Sequence, residues 1–415
     1  TTNTTNTTNT TNTTNTTNTT NINNAIVYLP SNEIEEETKQ LIEKMTHSQV
    51  LHNIRIMPDC HGSSYCCVGL TSIIKDKVIP QIIGGDIGCG ILVYKLNKKI
   101  KEKQYKKIDD FIHNHIPMGE NSHKTPMIEL SYMDKIYNNC NEKLIYLKEK
   151  FPDLVNHDFS FTNQYYEKLI KKLNVKGGSS NFLCSLGTLG GGNHYIEFNE
   201  TNETDYLSIH SGSRYLGQAI CNYHQDKIKL KEDYNKNDFL NNYLSNSDFI
   251  EYLIDMIFAQ EFASHNRIIM LKIILNELNI DYNKENSIET IHNYIDFKRL
   301  IVRKGAISAE KDEMCVISLN MKDGILICKG KGNTDWNYSC AHGCGRIMSR
   351  KEAVQTFNMK MYKEAMKDVY STCINKETLD EIPYAYKNID LIKKSIGSSV
   401  EICKQLKPII NIKGY

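Results

Sequence analysis

The stretch IPQIIGGDIGCGILVYKL (79–96) decides how this chain is read. Apolar, β-branched runs flank GGDIGCG and read as buried strands, with the glycines forming a tight loop between them. Asp86 and Cys89 then project from a strand–loop–strand connection. A carboxylate and a thiolate three residues apart put a hard oxygen and a soft sulfur near one cation, and a thiolate has lone pairs enough to bridge two. Such a mixed donor set suits manganese, iron, cobalt or zinc better than magnesium. Read alone, the loop is also compatible with a capped turn beside a buried cysteine.

Four more segments repeat the theme: GTLGGGNHYIEF (187–198), SIHSGSR (208–214), IHNY (291–294) and CAHGCGR (340–346). They supply His194, His210, His292 and His342 in glycine-rich or strand-end settings, where backbone can come close to a phosphate. Any one of these histidines reads more readily as a satisfied core or surface residue than as a ligand. Together they point to a metal-dependent enzyme of phosphate chemistry. Ser211, Gly212, Ser213 and Arg214 look like an oxyanion-binding turn. His342 stands apart, crowded by small residues and followed by Arg346 just before a helix. A helix N-terminus with an arginine suits phosphate, and a neutral imidazole there can act as a nucleophile. A further metal ligand is the other reading of His342. Lys304 directly before Gly305 suggests close backbone approach. GKGN (330–333) lacks the spacing of an NTPase P-loop.

Charge excludes other classes. The 415 residues carry 50 Lys+Arg against 49 Asp+Glu, so nucleic acid must be met by a local basic groove rather than a diffuse field. No run approaches the roughly 20 apolar residues of a membrane span, and no secretory signal is visible. The 13 cysteines are scattered without a CxxC pair, which reads as reduced, intracellular protein, cytoplasmic or nuclear.

Residues 1–21 are seven copies of Thr-Thr-Asn with nothing apolar to bury, so disorder is expected there, within a tail over 1–24. Folded chain is expected from Ala25 to the end. Helices are expected over 31–46, 100–115, 141–172, 247–277 and 348–366, with a hairpin over 314–328 turning at Lys322-Asp323-Gly324. Asn- and Lys-rich patches at 222–247 and 275–289 read as surface insertions.

MPDCH (57–61), GGDIGCG, GTLGGGNHYIEF, HSGSR, YLIDMIFAQEFASHNR, HNYI, RKGAISA, LNMKDG, GKGNTDWN, HGCGR, IPYAYK and IKG (412–414) occur in this order. In them the chain resembles the RtcB family of GTP-dependent RNA-splicing ligases, in its second, bacterial-type branch. The resemblance implies a mixed α/β (α+β) fold in one domain, with a β-rich core, outer helices and a central dinuclear metal site. It implies two Mn²⁺ per subunit: one on Asp86, Cys89 and His194, the second on Cys89, His210 and His292. His342 matches the histidine that takes up GMP from GTP. Asn193, Glu197, His292, Asn293, Gly343, Gly345, Tyr386 and Lys413 match positions around GTP or GMP, and Arg214, Lys304 and Arg346 match contacts to RNA phosphates. The implied partner is RNA with a 3′-phosphate or 2′,3′-cyclic phosphate end and a 5′-hydroxyl end, with room for an archease-type activator.

Two departures stand out. Cys344 replaces the usual small residue of HGxGR, adding an oxidisable thiol beside the nucleophile, and Ser63–Ser64 replace a glycine and lysine, which bears on RNA affinity. Two rival functions use the same residues: a metal-dependent phosphodiesterase or phosphatase with water as nucleophile, and a non-catalytic RNA-repair accessory protein.

Overall fold

The computed structural model describes residues 19–175 and 178–414. Its centre is a seven-stranded sheet in the order Ser287–Ile291, Gly90–Lys95, Asp205–Ser211, Tyr195–Glu200, Val400–Lys413, Ile325–Gly330, Met314–Ser318. All neighbouring pairs are antiparallel. The sheet curls until its edges approach, where Val316 N donates to Thr290 Oγ1 at 3.0 Å, making a near-closed barrel. Alternation along each strand sorts the side chains. Ile91 and Val93 join Tyr206, Ile327 and Leu406 in one small core, while Leu92 and Tyr94 join Ile196, Phe198 and Ile209 in another.

A second, six-stranded sheet runs Thr20–Ile22, Ala25–Val27, His52–Gly62, Cys67–Ile73, Ile301–Lys304, Asn293–Asp296. Between the two lies the long helix Asn246–Glu277. Its sequence is apolar on nearly every side because it is buried on nearly every side. Phe249 to Phe262 pack into the largest core, and Met270 to Leu275 into the core behind the barrel. The mixed α/β architecture in a single domain agrees with the sequence reading.

Several local readings are corrected. IPQII is not a strand: Pro80–Ile83 is a short helix with proline at its first position, where a missing N–H costs nothing. The segment 141–172 is two helices, Met133–Lys150 and Asn163–Leu173, separated after Phe151 by Pro152, which cannot donate to a continuing helix. The segment 348–366 divides into Arg350–Thr356 and Met359–Ala365, because Asn358 caps the second by accepting from Lys360 N and Met361 N. The segment 31–46 begins as a 3₁₀ turn, Ser31–Glu33, and becomes α-helix only at Glu36–Met45. The patch 222–247 is not wholly an insertion, since the helix Arg214–Lys229 runs into it. Ordered chain also starts before Ala25: Thr20–Ile22 pairs with Ala25–Val27, and Thr20 Oγ1 donates to Leu29 O at 2.8 Å. Residues 1–18 of the Thr-Thr-Asn tract lie outside the described residues. Among the described residues no helix is long and apolar enough to cross a membrane.

Candidate active site

Register gathers the scattered motifs at one mouth of the barrel. Gly90 opens its strand opposite Ser211 and Ile291, which close theirs, and Tyr195 pairs with both His210 and Lys413. Cys89, His194 and His292 each sit one residue beyond a strand end at that mouth, and His210 and Lys413 lie at strand ends. Loop backbones are then tied together: His292 N donates to Cys89 O (2.8 Å) and Gly88 N to Asn293 O (2.8 Å). Close approach explains Gly212, where a Cβ would lie 1.9 Å from Asp86 Oδ1.

The donor atoms form a chain with sulfur at its centre. Asp86 Oδ2 is 3.2 Å from His194 Nε2, which is 3.4 Å from Cys89 Sγ. On the other side Cys89 Sγ is 3.2 Å from His210 Nε2, itself 3.2 Å from His292 Nε2. Cys89, His194 and His210 are buried and have their ligand atoms within 4.8 Å of one another. His210 Nδ1 faces Asn193 O at 3.0 Å, so its proton sits there and Nε2 turns a lone pair inward. Burial, with Asp86 beside it, pushes the Cys89 thiol well above its usual range. Burial and neighbouring imidazoles pull His210 and His292 well below theirs. Burial raises Asp86, but His194 outweighs it and holds the carboxyl below the usual range. Convergent lone pairs, neutral imidazoles and a buried thiol beside a carboxylate fit a transition metal that accepts mixed O, N and S donors, whose charge would reverse the Cys89 shift.

His342 lies beside this cluster, its ring 4.8 Å from that of His292. Asp59, fully buried, fixes it: Oδ2 is 2.6 Å from His342 Nδ1 and accepts from the backbone N of His342 (3.1 Å) and Gly343 (3.0 Å). The contact sets a carboxylate beside Nδ1 without the alignment of a hydrogen bond, so Nδ1 is the nitrogen turned to Asp59 and Nε2 the one turned from it. Gly345 allows the approach: its φ is +68°, and a Cβ there would lie 2.1 Å from Asp59 O. Cys344 is buried and its thiol is pushed up by that burial, so it is less reactive than its position in the sequence suggests.

A cleft of about 1130 Å³ opens over these residues. One wall is a charge cluster centred on Glu381. Its carboxylate meets Lys413 Nζ (2.9 Å), Arg350 Nη1 (2.5 Å), Arg346 Nη1 (3.4 Å) and the Tyr386 hydroxyl (2.9 Å). Burial raises Glu381, but Lys413, Arg350 and Arg346 prevail and hold it at about 2. The floor carries Glu197, whose oxygens accept from Asn199 Nδ2 (2.5 Å) and Asn411 Nδ2 (2.6 Å). Burial lifts Glu197 to about 7, against those two amides and Lys413.

Sequence reasoning missed Asp59, Glu381 and a buried pair on the long helix. Asn266 Oδ1 accepts from Gly187 N and Thr188 N, and Arg267 Nη1 donates to Gly88 O (2.8 Å) and Ser211 O (2.5 Å). Arg267 Nε reaches Glu289 (2.8 Å), so one guanidinium ties the segments bearing Cys89, His210 and His292. Asp59 and Asn266–Arg267 lie in the quoted motifs MPDCH and ASHNR. For Glu381 only its place one residue before IPYAYK gave a signal.

The three basic residues read as RNA contacts are divided. Lys304 Nζ donates to Ile83 O (2.9 Å), and Arg214 donates to Thr188 Oγ1 (3.1 Å) and Gly119 O (2.5 Å). Arg346 turns to the Glu381 wall, donating to Met348 O (3.1 Å) and Asp380 O (2.7 Å). Asn293 spends its Oδ1 on Gly305 N (3.1 Å). Ser63 and Ser64 are exposed at the cleft rim.

Comparison with known proteins agrees with this geometry. The family model "tRNA-splicing ligase RtcB" matches residues 40–414. The chain is 27% identical to the RNA-splicing ligase RtcB of Escherichia coli K12 over 406 residues, 91% of this chain and 93% of that protein. It is 27% identical to the tRNA-splicing ligase RtcB of Aeropyrum pernix, covering 86% and 87% of the two chains. A homologue in Entamoeba histolytica shares 23% identity over 86% of this chain and 80% of its own. With the motifs in order, their residues converging at one barrel mouth, and the match spanning nearly the whole chain, the protein belongs to the RtcB family.

Proposed function

We propose that this protein is a GTP- and Mn²⁺-dependent RNA ligase that joins 3′-phosphate or 2′,3′-cyclic phosphate ends to 5′-hydroxyl ends through a His342–GMP intermediate. The observation that carries the reading is the Asp59–His342 pair set against the Cys89 cluster: a nucleophile with one nitrogen fixed and the other free beside a metal-binding donor set. The relatives' names, RNA-splicing and tRNA-splicing ligase, support an RNA substrate.

His342 Nε2 attacks the α-phosphorus of GTP and pyrophosphate leaves, giving a phosphoramidate. Asp59 holds the ring in its attacking orientation and stabilises the charge that develops on it. A cyclic phosphate is first opened by water; a 3′-phosphate oxygen then takes GMP from His342. The 5′-hydroxyl attacks that activated phosphate, the new phosphodiester forms and GMP departs. Bound by Asp86, Cys89, His194, His210 and His292, two Mn²⁺ ions would supply Lewis-acid polarisation and neutralise phosphate charge. Lys413, Arg346 and Tyr386 line the nucleotide wall, with Asn193, Asn293, Gly343 and Gly345 framing it, and Glu197 meets the base. Arg214 and Lys304 receive RNA phosphates. Residues 25–415 form the catalytic domain, and an archease-type activator fits as a partner.

Incubation with α-labelled GTP and Mn²⁺, followed by a denaturing gel, tests the reading. Wild type retains label, and His342→Ala loses it completely with its metal content unchanged. A folded, metal-loaded wild type that hydrolyses phosphodiesters yet never labels would instead make this a hydrolase.

A further inference from the structure

The two amides that grip Glu197 are not equivalent. Asn199 is fully used: its Nδ2 donates to Glu197 Oε1 and its Oδ1 accepts from Ser208 Oγ at 2.7 Å. Asn411, the direct cross-strand neighbour of Glu197, donates through Nδ2 to Oε2 at 2.6 Å, but its Oδ1 is buried and meets no donor among the described residues. The side chain is 1% exposed and sits at the floor of the cleft, two residues before Lys413 on the same strand. Swapping its amide atoms offers no relief, because Nδ2 would then be the buried atom left without a partner. A buried acceptor left without a proton is costly, and a native protein tolerates one where a ligand completes it.

We propose that Asn411 is a specificity-determining residue, whose Oδ1 accepts a hydrogen bond from the exocyclic 2-amino group of guanine. This rests on the reading that Glu197 faces the base. Guanine presents N1–H and two N2–H protons along one edge. Each Glu197 oxygen has accepted one amide and keeps a second lone pair, so the carboxylate takes N1–H and the nearer amino proton. The outer amino proton then points to the neighbour of Glu197, where the orphaned Oδ1 waits. Adenine offers a lone pair at N1 and is repelled. Hypoxanthine has N1–H but no amino group, so it separates the role of Asn411 from that of Glu197.

The test is equilibrium dialysis of the full-length, Mn²⁺-loaded protein with GMP and with IMP. Wild type binds GMP more tightly. Asn411→Ala and Asn411→Leu, the latter with the same heavy-atom branching but no polar atoms, both lower the GMP:IMP affinity ratio by about tenfold. The ratio is read within each variant, so partial unfolding cancels. Variants that weaken GMP and IMP alike give Asn411 only the structural task of holding Glu197 and overturn the proposal, as does a wild type that does not distinguish the two. A wild type that binds neither nucleotide overturns the ligase reading itself, which the His342 label tests separately.

Discussion

Glu197 and Glu381 lie on two sides of one cleft, both buried, and their carboxyls differ by about five pKa units, about 7 against about 2. Burial acts on both in the same direction. What differs is the company: two neutral amides hold Glu197 on the barrel floor, while three cations surround Glu381 on the wall. A carboxyl gripped only by amides is about half protonated near neutrality and keeps its second lone pairs open to a ligand. A carboxylate gripped by cations has already committed its charge, and serves to fix Lys413 and Arg346 in place before any phosphate arrives.

The sharpest way to break this contrast is Glu381→Gln, which leaves three cations short of their shared buried counter-charge. Loss of about 4 kcal/mol of stability is expected at pH 7, measured by urea unfolding. The lowered pKa means that this contribution is full above about 4.5 and drains away as pH falls toward 2, so the gap between wild type and variant must close in acid. A gap independent of pH would make the wall a packing feature only.

Glu197→Gln has the opposite sign. A folded pKa of about 7 lies above the unfolded value, so wild type binds the extra proton when folded and loses stability as pH rises from about 4.5 through 7. Relative to the glutamine variant, wild type should lose about 3 kcal/mol across that window. Stability parallel in the two proteins at pH 5 and 8 would show that Glu197 is ionised throughout. The smallest effect belongs to Arg350, whose side chain is 45% exposed at the rim. Its replacement by alanine should cost at most about 1 kcal/mol, and a double-mutant cycle with Glu381→Gln reads its share of the cluster.

The same division between what neighbours in sequence supply and what neighbours in space supply governs how much was legible beforehand. The long helix was readable because apolar residues recur throughout its 32 residues with no glycine or proline to break it. The convergence of Asp86, Cys89, His194, His210 and His292 was readable because carboxylate, thiol and imidazole groups flanked by glycine or placed at strand ends are unusual, and the register brings all five together. Closure of the barrel was not readable, since it depends on Thr290 meeting Val316 across a gap that no local pattern marks. Asp59 lies inside MPDCH yet carries no signal of its own, because an aspartate in a strand reveals its task only when His342 arrives 283 positions later. Arg346 reads as a phosphate contact from its place just before a helix, and as an RNA contact from the resemblance; only the fold shows that Asp380 and Glu381 engage it first. The Pro80 helix was misread because its flanking isoleucines are as suited to a strand.

Arg267 carries a consequence for timing. Its single guanidinium joins carbonyls at Gly88 and Ser211 and the carboxylate of Glu289, positions spread over 200 residues of chain. Contacts so distant in sequence form slowly, and none of them can form until the long helix has docked between the sheets. Assembly of the Cys89 cluster is therefore a late event in the life of each molecule, and a chain stalled before helix docking offers a thiol and three imidazoles that never converge.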